Sequence, residues 1–247
     1  MKILLRFITK HNKFPLDYRR VCLSYFKRSL SEIAEGKYFE KYYFTPERRN
    51  FTFAVNLPMP KFSKTEIELG KNEISITFST ADSTTGYIFA SAFIKQKGKH
   101  IPAPLGNEMI LTSVSQVQEK TVSSNSALVK MLSPLCLRIH NAESNSDKYV
   151  SVADENFNEL AEQIIKRQLN ENGFNEKILS KFGIKPLDAK KTVVYHYKNY
   201  IECSLGTFII SGDRAVINYL LKSGIGSRKS AGFGFAQLIA EGDETDL

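Results

Sequence analysis

No apolar stretch in the sequence approaches the ~20 residues that a bilayer-spanning helix requires, and Arg6 interrupts the apolar start Met1-Lys2-Ile3-Leu4-Leu5-Arg6-Phe7-Ile8 where a secretory signal would stay uncharged. The expectation is a cytoplasmic chain without membrane association. Cysteine is scarce. Cys22, Cys136 and Cys203 are widely spaced, odd in number and form no C-x-x-C pair, which argues against a disulfide framework and a zinc finger and leaves them as small core hydrophobes. Glycine and proline are few, 14 + 8 = 22 of 247 residues, so the composition is globular rather than disordered or fibrous. No G-x-x-x-x-G-K-[ST] precedes a helix and no glycine fingerprint opens one, which disfavours nucleotide hydrolysis and dinucleotide binding. No local His/Asp/Glu pattern has metal-ligand spacing, so neither a metal nor another cofactor is expected; a cluster assembled by the fold stays open.

Hydrophobic residues make up 42% and charged residues 24% of the chain, enough for a buried core in one large or two small domains. The net charge is 34 − 26 = +8 and it is clustered. Residues 1–50 hold twelve Lys/Arg against five acids, whereas 241–247 contain four acids. A concentrated basic segment is either a solvated helix face or a phosphate-binding surface.

Residues 1–9 read as a strand and 10–14 as a loop. Pro15 opens a basic amphipathic helix whose spacing runs through Leu16, Arg19/Arg20, Leu23, Phe26/Lys27 and Leu30 to Gly36. Phe51 to Leu57 is strand-like, EIEL and EISITFS read as a hairpin around Gly70-Lys71-Asn72, 82–96 regain helical spacing, and Met109 to Val117 is extended. The second half repeats the order: a strand over 128–140, a helix over 154–170 with Lys166/Arg167 near its end, β-rich runs at 191–198 and 200–210, a short helix from Asp213 to Lys222, and a last strand at 233–240. Twice β-α-β-β-α-β predicts an α+β protein of two tandem ferredoxin-like, RRM-like domains, 1–122 and 123–247. Phe51, Phe53 and Phe78 fit either a core or a base-stacking platform.

The most distinctive segment is Gly224-Ile225-Gly226-Ser227-Arg228-Lys229-Ser230-Ala231-Gly232-Phe233-Gly234-Phe235, between a helix and a strand. Its glycines permit close backbone approach and its cations suit phosphate. With KILLRFI, FPLDYRR, FTFAVNLPMP and SPLCLR, it makes nearly the whole chain resemble the CRISPR repeat-processing endoribonucleases, the sixth Cas family of the RAMP superfamily. The resemblance implies facing sheets that form a basic cleft for precursor crRNA. It also implies metal-independent cleavage, in which the ribose 2′-hydroxyl attacks the adjacent phosphate. The alternative is a RAMP scaffold subunit that holds crRNA without cutting it. CRISPR repeat RNA is the expected partner, with other Cas effector subunits and a second copy of the chain as further candidates.

Many members of that family place a catalytic His a few residues before the strand corresponding to FTFAVNL. Here the stretch from Tyr38 to Arg49 contains none. Three explanations stand: Tyr43 acts with Lys41, Tyr42 and Arg49; His11 swings in from the first loop; or the RNA is held with little acid–base catalysis. Gly226, Ser227, Arg228, Lys229, Ser230, Arg19, Arg20 and Lys27 are the candidate RNA-binding residues. His100 lies in a polar loop, and His140 and His196, in or beside strands, read as structural.

Overall fold

The computed structural model describes residues 1–45 and 49–242. Arg48 of the basic segment and the acids Asp243, Glu244 and Asp246 lie outside the described residues.

Alternation in β1 (Lys2–Thr9) sends Ile3, Leu5 and Phe7 to one face. The chain continues through α1 (Tyr18–Ser31), α2 (Lys37–Tyr43), β2 (Phe51–Asn56), β3 (Glu73–Thr80), α3 (Ser83–Lys95), β4 (His100–Ala103) and β5 (Asn107–Val117). The antiparallel sheet has the order β2-β3-β1-β5-β4, the ferredoxin-like arrangement with one added edge strand. The long basic helix expected from Pro15 to Gly36 is two helices. Pro15 belongs to a short strand, and Gly36, in the left-handed region at φ 83°, restarts the chain as α2. The expected hairpin around Gly70 does not form: Glu66–Glu68 pairs with Lys13–Pro15 and Lys61–Phe62, which sets Phe14 against buried Ile67. β3 instead joins the central sheet, where Ile74, Ile76 and Phe78 reach the core. Period 2 fixes the face of a strand but not its partner.

The second sheet is built from β6 (Ser126–Met131), β9 (Gly183–His196), β10 (Asn199–Ser211) and β11 (Ala236–Gly242) in the order β9-β10-β6-β11. α4 (Phe157–Asn170) and α5 (Arg214–Ser223) are its crossover helices, and β7 (Leu137–Asn141) with β8 (Ser146–Val150) forms an inserted hairpin. The strand expected over 128–140 is therefore two strands in different sheets. Pro134 has no N–H to continue a ladder, and the turn is tied by Leu132 N–H donating to the Phe235 carbonyl. β11 starts at Ala236 rather than residue 233, because Phe233 and Phe235 belong to the preceding loop.

Each sheet covers its own core. Phe26 packs against Phe51, Phe53, Phe78, Phe89 and Phe93, all fully buried, so the three strand phenylalanines are core residues and not stacking platforms. The three cysteines are buried as well. On the open sides the sheets face one another. Lys2, Leu4 and Thr77 meet Leu132, Gln237 and Leu238 across a cavity of about 270 Å³. Thr52 Oγ1 donates to the Phe233 carbonyl, Ser79 Oγ to the Lys222 carbonyl and Arg19 Nε to the Gly232 carbonyl, stitching the C-terminal half to α1, β2 and β3. No helix among the described residues is long and apolar enough to cross a membrane.

Candidate functional site

The glycine-rich loop leaves α5 at Gly224 and is anchored from two directions. Gln168, buried on α4, accepts from Gly226 N–H at 2.7 Å and donates to the Gly224 carbonyl at 2.9 Å. Ser227 N–H donates to the Cys136 carbonyl and Ser227 Oγ accepts from Arg138 N–H. Gly226 sits at φ 82°, and a Cβ there would lie 2.6 Å from the Cys136 carbonyl oxygen, so only glycine permits this approach. The backbone is held by the fold, and the Ser227-Arg228-Lys229-Ser230 crest is half-buried at the edge of an opening.

That crest forms one wall of a cleft of about 520 Å³. The lining also includes Arg49 before β2, Arg138 and His140 on β7, and Arg167 and Glu171 at the end of α4. Five cations from four separated stretches of chain, both domains included, thus surround one opening, and Glu171 is the acid that lines it. Behind them Asp147 on β8 accepts from Arg138 Nη1 at 3.1 Å and Arg228 Nη2 at 3.2 Å, and contacts His140 Nδ1 at 2.9 Å. Tyr149 Oη receives a second hydrogen bond from Arg228 at 2.7 Å. The His140 hydrogen bond, then those from Arg138 and the Arg228 charge, hold the Asp147 carboxyl down at about 2, so it is an anion that only accepts. This cationic opening suits a phosphate chain, and its guanidinium groups can stabilise charge that builds on a phosphoryl group.

Of the residues singled out in the sequence, Gly226, Ser227, Arg228, Lys229, Ser230 and Arg49 line the cleft. Arg49 donates from Nε to the Tyr42 carbonyl at 2.6 Å and stacks on the Tyr43 ring at 4.8 Å, while Lys27 sits over the same ring at 5.0 Å. Tyr43 is thus a platform for two cations. Its hydroxyl is buried without a hydrogen-bond partner, and burial pushes its pKa up, so it keeps its proton. Tyr42 points away into the core, where its hydroxyl pairs with Thr85 Oγ1 at 2.7 Å. Lys41 lies near Asp82 at the start of α3; against the raising effect of burial, hydrogen bonds from Thr85 and Thr84 and the Lys41 charge hold the Asp82 carboxyl low. Arg19 is buried, stacked on Phe233 and bonded to Gly232, and so supports the loop from beneath. Arg20 lies over the Tyr197 ring, further along α1.

His11 is at the other end of the sheet. Its backbone is tied to Asn107 beyond Thr9, whereas Arg49 precedes Phe51, which pairs with Thr80 beside the start of β1. Eight extended residues, about 26 Å, separate the two ends. The fold does not bring His11 together with Arg49. His196 is buried at the domain seam, where Nδ1 meets Asp17 Oδ1 at 2.9 Å. Arg138, His140, Asp147 and Arg167 were not among the sequence candidates. The visible signals were SPLCLR and the basic end of the 154–170 helix, but only the fold brings them to the glycine-rich loop. Among the described residues no three His, Cys, Asp and Glu side chains gather as metal ligands.

Residues 117–238 match the family model described as CRISPR associated protein Cas6, C-terminal. No curated protein matches the chain by sequence. Among solved structures, the product of a Cas6-related gene from Pyrococcus furiosus superposes with a TM-score of 0.81 at 18% identity, covering 97% of this chain and 98% of that one. A RAMP protein described as binding different RNA substrates gives 0.81 at 19% identity, covering 97% and 100%. A product complex of Thermus thermophilus Cas6 gives 0.71 at 16%, covering 96% and 99%. The C-terminal half of the chain, residues 117–238, thus matches the Cas6 C-terminal domain, and the two-domain fold is shared end to end with solved Cas6 structures.

Proposed function

We propose that the protein binds CRISPR repeat RNA in the cationic cleft and cuts precursor crRNA once per repeat, without a metal, by attack of the ribose 2′-hydroxyl on the adjacent phosphate. The carrying observation is the convergence of Arg49, Arg138, Arg167, Arg228 and Lys229 on one opening against a backbone-anchored glycine loop. In that reaction the O2′–P bond forms, the P–O5′ bond breaks, and the cations stabilise the phosphorane charge while the loop holds the scissile phosphate in line.

A second reading is a RAMP subunit that holds the RNA without cutting it. The buried Tyr43 hydroxyl and the engaged Tyr42 hydroxyl favour it, because neither is offered to the cleft as a proton donor. Single-turnover incubation of end-labelled repeat RNA with excess protein in EDTA separates the two. The cleaving enzyme yields a 5′ fragment ending in a cyclic or 2′/3′ monophosphate. Binding without product supports the scaffold, product only with added divalent metal overturns the metal-independent step, and a fragment ending in a plain 3′-hydroxyl overturns the 2′-hydroxyl attack.

A further inference from the structure

We propose that His140 is the general base of the cleft and that Asp147 is its positioning residue, an inference that rests on the cleaving reading above. His140 lines the cleft, on the β7–β8 hairpin that is bonded to the glycine-rich loop. The two residues are directly paired across the hairpin register, which brings His140 Nδ1 to 2.9 Å from Asp147 Oδ1. An ionised carboxylate accepts only, so Nδ1 carries the hydrogen and the neutral ring keeps its lone pair at Nε2. The dyad is the base-and-orienter pair of an acid–base site, set among the guanidinium groups that would bind the phosphate.

The step balances without a co-reactant other than water. Nε2 takes the proton of the 2′-hydroxyl, O2′ bonds to phosphorus, the P–O5′ bond breaks and O5′ takes a proton from solvent. The imidazolium then returns its proton to water. The charged and titratable groups that line the cleft with the ring or pair with Asp147 are Arg49 before β2, Arg138 on its own strand, Asp147 and Tyr149 on β8, Arg228 and Lys229 on the loop, Arg167 on α4 and Glu171 just after it. Asp147 also holds Arg138 and Arg228, so its replacement tests positioning of the cations and of the ring together.

The test is single-turnover cleavage of labelled repeat RNA at saturating protein in EDTA across about pH 5–8.5, with RNA affinity measured on the same samples. His140→Gln should lower the rate by ~10²-fold or more, leave affinity within a few-fold, and abolish the fall in rate on the acid side of the profile. Asp147→Asn should lower the rate at saturating protein by less than His140→Gln does, with affinity again within a few-fold, since the ring keeps its nitrogen but loses the carboxylate that orients it. Wild-type rates and profile for His140→Gln overturn the dyad while leaving the cleaving reading intact. Equal losses of rate and affinity make His140 a binding residue and also overturn it. RNA bound but uncut by the wild type overturns both proposals.

Discussion

Salt dependence gives the most direct measure of how many phosphates the cleft takes. Arg49, Arg138, Arg167, Arg228 and Lys229 surround it. If each neutralises one phosphate of single-stranded RNA at about 0.7 per contact, log affinity falls against log salt with a slope near −3.5, roughly a hundredfold between about 50 and 200 mM. Replacing Arg228 and Lys229 with Ala removes two contacts, which brings the slope to about −2.1 and the loss over the same interval to about twentyfold. The loop backbone should survive the double replacement, because its anchors are Gln168, Cys136 and Arg138 main-chain or amide bonds rather than the Arg228 side chain. Arg19→Ala is the contrast. Its guanidinium is buried against Gly232 and Phe233, so the replacement should lower stability and leave the slope unchanged. Fluorescence anisotropy of labelled repeat RNA titrated over a KCl series reads both slopes. Parallel lines for the wild type and the double variant would remove the loop from the interface and refute the reasoning.

Gly234→Ala should destabilise the protein by more than ~2 kcal/mol in urea unfolding, since a left-handed non-glycine residue costs ~1–2 kcal/mol and its Cβ would also run into the Ile225 carbonyl; an unchanged midpoint contradicts this. Tyr42→Phe deletes the buried bond to Thr85 and should cost ~0.5–1.5 kcal/mol with cleavage at saturating protein unaltered, so a large loss of rate without loss of stability would return Tyr42 to the chemistry. Stability should also fall with acid because of His196, whose pKa burial lowers below its ordinary value despite the Asp17 contact. Its unfolded form binds the proton more readily, so the contribution is present above the unfolded pKa near ~6.5 and is lost as pH drops through the lower folded value. Urea midpoints from about pH 7.5 to 5 should decline for the wild type and more shallowly for His196→Gln; identical declines disprove the assignment.

Much of the fold was legible because each crossover helix and central strand carries its own period. Ile3, Leu5 and Phe7 mark one face of β1, and the helices over 83–95 and 157–170 follow their hydrophobic spacing. Strand partners were not legible. Glu66–Glu68 looked like one arm of a hairpin because a glycine turn followed it, yet a burial site opposite Phe14 decided its place. The run 128–140 looked continuous because its composition never changes, and Pro134 alone announced the break.

The candidate site divides along the same line. The glycine-rich loop was readable since glycines at left-handed positions and adjacent cations leave a local mark. The segment aligned with the family's usual His was readable as a departure, but not the fate of its side chains. Lys41, Tyr42 and Tyr43 are consecutive on a helix, so successive side chains turn by about 100° and cannot share one face. The structure resolves them accordingly: Lys41 lies toward Asp82, Tyr42 packs into the core, and Tyr43 lies beneath Lys27 and Arg49. The cation that approaches the cleft from that segment, beside Thr45, is Arg49, and it is placed by the Tyr42 carbonyl and the Tyr43 ring. The tyrosines therefore act on the site through a cation they position. In the cleaving reading proposed above, the proton-transferring group therefore comes from another element, and among the cleft's lining residues His140 is the imidazole.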